Sequence, residues 1–377
     1  MVAVGTNESI APPVGGVIRG ATRAEQKGYD SIWWPDHLMG WHPDFLWQPE
    51  ITELAHLMPN PHLFVDPVAA IAACSTHTSR IRLGTSVTDA IRRHPAMLAH
   101  EFLTLDHFSQ GRAILGTGAG GGENITPYGM SFDRPVSRLE EALEIIRLLW
   151  GTTEPVDYDG ETWRLRGAIC GMSPYQDPAN GAAASPPIWV GAQGPRMLSL
   201  AGRHCDGWLP TYQGGPERWR QGLAAIRAAA AQVDRPLGDF TPGLLAHVIV
   251  VDDDRDVERL LDSPLIRTWM LTMPSSCFEE FGVEHPLGEG SYGLLDYIPT
   301  HLSAARVRRA LQAVPLEVAD KYLMVGTAAR ILDEFRQFVE QGLEHVVLWN
   351  ISYLADFKLL RSSYEALDDM AVRIPAM

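Results

Sequence analysis

A chain of 377 residues with 46% apolar and 20% charged side chains can bury a large core, so disorder is excluded. Its formal net charge of −15 excludes a nucleic-acid backbone or an anionic membrane surface as the main partner, and an anionic cofactor would need a locally basic pocket. Cys74, Cys170, Cys205 and Cys277 lie far apart with no CxxC or Cys/His pattern, which excludes a zinc site or a disulfide framework and leaves reduced thiols. The N-terminal MVAVGTNESIAPPVGG carries no basic stretch followed by an apolar core, and no run of about 18 uncharged apolar residues occurs, so a cytoplasmic protein without an integral membrane segment is expected.

In chain order, short apolar runs alternate with longer segments of helical periodicity, the pattern of βα units around a parallel sheet. Val2 to Gly5 reads as the first strand, followed by a helix to about Lys27; Ser31 to Trp34 is the second strand, Ile81 to Thr85 the third and Ala113 to Gly116 the fourth. Leu139, Leu143, Ile146 and Leu149 recur at three- and four-residue spacing and predict a helix from Val136 to Trp150 with one buried stripe. VDYDGETWRL, 156–165, alternates around Asp-Gly and predicts a small hairpin. Pro187 to Val190, Gly207 to Pro210, Leu244 to Val251 and His345 to Trp349 supply strands five to eight. This order predicts one (β/α)8 TIM-barrel domain over 1–377 with two insertions. The insertion at about 39–67 is rich in Trp, His and Pro, and that at 263–320 carries Trp269, Met270, Met273, Phe278, Phe281, Tyr292 and Tyr297. Such segments serve as lids or pocket walls, or simply pack over the barrel or form a subunit interface.

In a barrel of this kind reactive groups project from the carboxyl ends of the strands. Glu8 follows strand one, Asp36 and His37 follow strand two with Trp41 beyond, Ser86-Val87-Thr88-Asp89 follows strand three, and GTGAGGGEN follows strand four. An isolated Asp-His pair can cap a loop or pack in the core; with a Trp nearby it can also exchange a proton with a substrate oxygen to which the indole N–H donates. The run Gly116 to Gly122, with Gly118 at its centre, lacks the dinucleotide frame, yet glycines let a cofactor ring or phosphate approach the backbone; a flexible loop is the other reading. GAQGPR, 191–196, opens a helix whose amides, with Arg196, suit an anion. Arg92 and Arg93 read as solvated surface charges.

These residues resemble the luciferase-like superfamily, and within it the branch that uses the deazaflavin coenzyme F420. YDSIWWPDHLMGW is similar to the second-strand signature of F420-dependent glucose-6-phosphate and alcohol dehydrogenases, which implies a cofactor contact for Asp36, catalysis by His37 and a place beside the substrate for Trp41. RLGTSVTDAIRRHPAMLAHEFLTLDHFSQGRAILGTGAGGGENITPYG resembles the segment with a non-prolyl cis peptide, here Ser86-Val87, and implies cofactor contacts for Asp89 and Asn124 as well as Gly118. IWVGAQGPRMLSLAGRHCDGWLPT resembles the phosphate-tail loop, which implies that Gln193, Gly194, Arg196 and Met197 bind the cofactor. TDAIRRHPA, GRAILGTGAGGGENITPYGMSFDRPVSRLEEAL, IWVGAQGPRML and GVEHPLG are similar to the F420-dependent phthiodiolone dimycocerosates ketoreductases.

Two departures stand out. Gly121 occupies the position of the dehydrogenases' acidic proton donor, which leaves Glu123 or Glu8 to replace it, and Gly214 stands where the sugar-phosphate enzymes place a phosphate-binding Lys. The resemblance implies hydride transfer between the deazaflavin and a ketone or secondary alcohol, with the aromatic and Met-rich 263–320 segment favouring a bulky, apolar substrate. An FMN-dependent monooxygenase on the same barrel is the runner-up, a barrel that only stores or senses the cofactor is the third reading, and a homodimer is the family expectation.

Overall fold

The computed structural model of the protein describes residues 1–8 and 14–377. Eight parallel strands close on themselves: β1 (Ala3–Asn7), β2 (Ser31–Trp34), β3 (Arg82–Thr85), β4 (Ala113–Gly118), β5 (Ile188–Val190), β6 (Gly207–Trp208), β7 (Thr241–Val251) and β8 (His345–Asn350). Closure is made where Ala3 to Thr6 of β1 pair with His345 to Leu348 of β8. Around this barrel run α1 (Val14–Gln26), α2 (Pro67–Ser75), α3 (Pro95–Ser109), α4 (Pro135–Gly151), α5 (Pro195–His204), α6 (Pro216–Ala231), α7 (Ala328–Glu340) and α8 (Leu360–Arg373). From α2 to α6 each helix begins on proline, whose fixed φ and missing N–H suit a first helical position.

Alternation along the strands divides the core into two. Val2, Val4, Ile32, Trp34, Leu83 and Leu115 face outward and pack against the helices. Trp33, Ile114, Trp189, Leu245, Ile249, Val347 and Trp349 face the barrel axis. Low in the barrel, Trp33 and Trp189 lie 5.2 Å apart between ring centroids and His345 meets Trp189 at 5.1 Å. Each such fully buried large side chain contributes roughly 1.5–3 kcal/mol of transfer free energy. The His345 imidazole, pulled down to about 3 by burial, is neutral and meets the Ser31 hydroxyl at 2.7 Å.

All eight strands lie where the sequence pattern predicts them, β1 and β4 running two residues further and β7 starting three earlier. The hairpin forms from Val156–Asp159 and Arg164–Ala168, its second arm later than expected because Asp159 pairs with Arg164 across a four-residue loop, 160–163. A strand not anticipated, Met324–Thr327, pairs with Val248 to Val251 at the end of β7, on the edge opposite β8. The segment between β7 and this strand holds short helices that bury Trp269, Met270, Phe278 and Tyr297 over the barrel mouth. Among the described residues no helix is long and apolar enough to cross a membrane. All four cysteines are buried and in no disulfide.

Candidate active site

At the carboxyl end of the barrel the loop after β2 and the loop after β4 are locked together by Asn124. Its Oδ1 accepts from the backbone N–H groups of Leu38 at 2.7 Å and Met39 at 3.1 Å. That fixes the amide the other way round towards its neighbours, so Nδ2 donates to Nδ1 of His37 at 2.7 Å and to Oε1 of Glu123 at 2.8 Å. His37, accepting at Nδ1, therefore carries its proton on Nε2 when neutral. A proton added at Nδ1 would face Oε1 of Glu123, 3.4 Å away. The ring is flanked by Trp41, edge-on at 4.6 Å, and by Phe64 at 5.3 Å. Trp41 is buried with an unpartnered Nε1, and Oε2 of Glu123 is likewise buried and unpartnered. The second insertion holds this wall in place, since the Tyr297 hydroxyl donates to the Trp41 carbonyl at 2.8 Å.

Gly121 explains how an acid reaches this spot from the wrong position in the sequence. A Cβ on Gly121 would lie 2.5 Å from Oε2 and 2.9 Å from Oε1 of Glu123. The Glu123 carboxylate thus folds back into the volume that a side chain at 121 would fill.

Glu8 is not part of this arrangement. It shares the outward parity of Val2 and Val4, its carboxyl carbon is 3.8 Å from where a Cβ on Gly20 of α1 would stand, and its charge acts on Tyr29, Cys74 and Tyr364. Burial pushes its carboxyl up to about 7 against the pull of Arg23. The expectation that Glu8 serves at the mouth is corrected by alternation: the inward residue at the end of β1 is Asn7. Its Nδ2 donates to the Ser86 hydroxyl at 2.9 Å while its Oδ1 is buried without a partner.

The Ser86-Val87 peptide bond is cis, as the resemblance implied. Asp36 and Asp89 are buried beside it, but their carboxylates are already engaged. Asp36 accepts from the Thr88 hydroxyl at 2.6 Å and from Arg92 at 3.1 Å; Asp89 accepts from the backbone N–H of Ile91 and Arg92 and from Nε of Arg92 at 2.5 Å. Arg92 also donates to the Asp36 carbonyl at 2.8 Å, and Arg93 pairs with Asp36, Asp66 and Glu101. The two arginines, read from sequence as solvated charges, are buried to 10% and 20% side-chain exposure and form the fastening between the loops after β2 and β3. Gly118 serves close packing of the chain itself, because a Cβ there would come within 2.8 Å of Cγ2 of Val87.

The 191–196 loop lies apart from His37, at the start of α5. Gln193, Gly194 and Arg196 are exposed, and Gly194 caps α5 without a side-chain hydrogen bond, so the first amides of the helix are open to an anion. Gln193 donates to the Thr211 hydroxyl, Arg196 to the Ser137 hydroxyl at 2.7 Å, and Met197 packs on the outer core. Beside it opens a cavity of about 220 Å³ lined by Gln193, Thr211, Gln213 and Arg218 over Trp208 and Trp219. At Gly214 the stem of Lys321 lies 3.0 Å from a would-be Cβ, but its ammonium is paired with Glu280.

A family model described as luciferase-like monooxygenase matches residues 2–345. The chain belongs to the luciferase-like monooxygenase family. This luciferase-like protein is 34% identical over 328 residues to the phthiodiolone/phenolphthiodiolone dimycocerosates ketoreductase of Mycobacterium sp. (strain JLS), over 86% of its own chain and 84% of the relative. It is 28% identical over 333 residues to the F420-dependent glucose-6-phosphate dehydrogenase of Nakamurella multipartita, over 87% and 84% of the two chains. In fold it is similar to an F420-dependent secondary alcohol dehydrogenase solved with an F420-acetone adduct, with a TM-score of 0.71 at 21% identity over 94% and 96% of the chains.

Proposed function

We propose that this luciferase-like protein is an F420-dependent oxidoreductase acting between a ketone and a secondary alcohol, with a bulky or apolar substrate. The observation that carries the reading is the His37–Asn124–Glu123 network, set at the barrel mouth beside a Trp41 indole with a free N–H. The named relatives, a ketoreductase and an F420-dependent dehydrogenase, support it. The residues present fit the cofactor: Gln193, Gly194, Arg196 and Met197 border an open helix N-terminus, which suits an anionic tail, while Asn7 bonded to Ser86 and Val87 packed on Gly118 shape the surface at the cis peptide, with Asp89 beside them. When bound, the reduced deazaflavin supplies a hydride.

The chain's own part is the proton. His37, protonated on both nitrogens, gives its Nε2 proton to the substrate oxygen as the alcohol forms and is left neutral; Trp41 Nε1 donates a second hydrogen bond to that oxygen. The Glu123 carboxylate, 3.4 Å from Nδ1, offsets the charge of that imidazolium, which is re-formed from solvent once the alcohol leaves; it takes the acidic role that sequence left open between it and Glu8. The paired ammonium at Lys321 argues against a sugar phosphate. On family resemblance, and with every cysteine a buried free thiol, a cytoplasmic homodimer is the expected form.

Anaerobic titration with reduced F420 and separately with FMN, followed by a ketone screen read by deazaflavin oxidation, tests the proposal. Tight F420 binding with ketone-dependent oxidation that falls by roughly 10²–10⁴ in His37→Ala is expected. Preference for FMN with oxygen uptake would overturn it in favour of a monooxygenase.

A further inference from the structure

Packed with Trp41 around Trp269 and Trp349 are two buried histidines with three unpartnered ring nitrogens. They are Nδ1 of His42 and both ring nitrogens of His247. His247 is an inward residue of β7, between Leu245 and Ile249, and only 4% exposed. Its ring packs on Trp269 at 4.8 Å and Trp349 at 4.9 Å, and the same two indoles flank Trp41 at 4.7 Å and 5.8 Å. His42 closes the box, 6.5 Å from Trp269 and stacked on Trp47 at 5.6 Å.

Other buried rings near the barrel axis find partners. One layer down, His345 and Nε1 of Trp33 both meet the Ser31 hydroxyl, and Nε1 of Trp47, at the edge of the box, donates to the Met58 carbonyl at 2.6 Å. Buried polar groups left unsatisfied are costly and rare, and they collect where a ligand completes them. Burial alone pulls the His247 imidazole down to about 3, and burial with the nearby His62 does the same for His42. Both rings are therefore neutral at ordinary pH. His247 offers one donor and one acceptor and His42 one further ring nitrogen, a set that matches an uncharged oxygen and gives an anion no counter-charge.

We infer that the box formed by Trp41, His42, His247, Trp269 and Trp349 is a specificity subsite for a second, uncharged oxygen of the substrate, a hydroxyl or ether on an otherwise apolar chain. This rests on the proposed function, in which His37 marks the reacting carbonyl; the Trp41 ring meets both His37 and Trp269 and so joins the two places. The substrate class is thus an oxygenated apolar ketone rather than a plain alkyl ketone or an acid.

The test uses the F420-loaded enzyme and matched ketones, one plain and the others carrying a hydroxyl at successive positions along the same carbon chain. The expected result is a preference in kcat/KM of about tenfold or more for one hydroxyl position, carried in KM, because a site built to bond a hydroxyl discriminates against the analogue without it. In His247→Phe that ratio collapses towards one, and in His247→Asn, which restores a donor and an acceptor, it recovers in part. Tryptophan fluorescence of the cofactor-free wild-type protein, titrated with the same ketones, reads the subsite without turnover. Tighter quenching by the hydroxyketone supports the subsite even if no ketone is reduced, an outcome that would instead remove the ketoreductase reading. Equal affinity for plain and hydroxylated ketones in the wild type, or an equal loss on both in the variants, overturns the subsite.

Discussion

Glu123 and Glu8 show how one carboxylate becomes chemical and another structural. Glu123 reaches His37 only because position 121 has no side chain, so Glu123→Gln should lower kcat by roughly 10²–10⁴ while F420 affinity holds, measured by stopped-flow reduction and by titration. Glu8→Gln should leave kcat near wild type, since its carboxyl faces α1. Its effect belongs to stability. With the folded pKa raised to about 7 from 4.5, the folded state holds a proton that the unfolded chain has lost between those values. Stability from this group is therefore greatest below about 4.5 and declines as pH rises to about 7. Thermal unfolding of both proteins across that window should show the wild type losing Tm relative to Glu8→Gln; parallel curves would refute the assignment.

The loops after β2, β3 and β4 act as one clasp, closed by Asn124 on one side and by Arg92 on the other. Asn124→Ala strands the amides of Leu38 and Met39, which should cost about 1–3 kcal/mol by urea unfolding and reduce turnover through a displaced His37. Close strand packing is as demanding. A Cβ on Gly116 of β4 would stand 1.7 Å from the Thr85 carbonyl oxygen, a backbone atom with nowhere to move. Gly116→Ala should therefore cost at least about 3 kcal/mol, read by the same unfolding experiment.

The molecule as a whole depends on its ends meeting. β1 and β8 pair in register, and β7 spans β6, β8 and the strand 324–327, so the last segment of the chain closes what the first begins. Truncation after Glu340 would remove β8 and expose the edges of β1 and β7, and such edges aggregate. The truncated chain should fail to yield a monodisperse species on gel filtration, whereas a soluble, folded fragment would show that the barrel does not behave as one cooperative unit.

The eight strands were legible because each is a local apolar run bounded by turns, and the flanking helices because their apolar stripe has its own period. The site motif was legible in the same way: Asp36, His37, Trp41, Ser86-Val87 and Asn124 sit at strand ends that the pattern locates. Even the outward direction of Glu8 could have been read from its parity with Val2 and Val4. What no local pattern carries is the partner of a side chain. That the carboxylates of Asp36 and Asp89 are taken up by Arg92, that Glu123 fills the space above Gly121, and that His247 packs against Trp269 and Trp349 are decided by which loops the closed barrel brings together. Periodicity is a property of neighbours along the chain, while hydrogen bonding and desolvation in the mouth depend on neighbours across it.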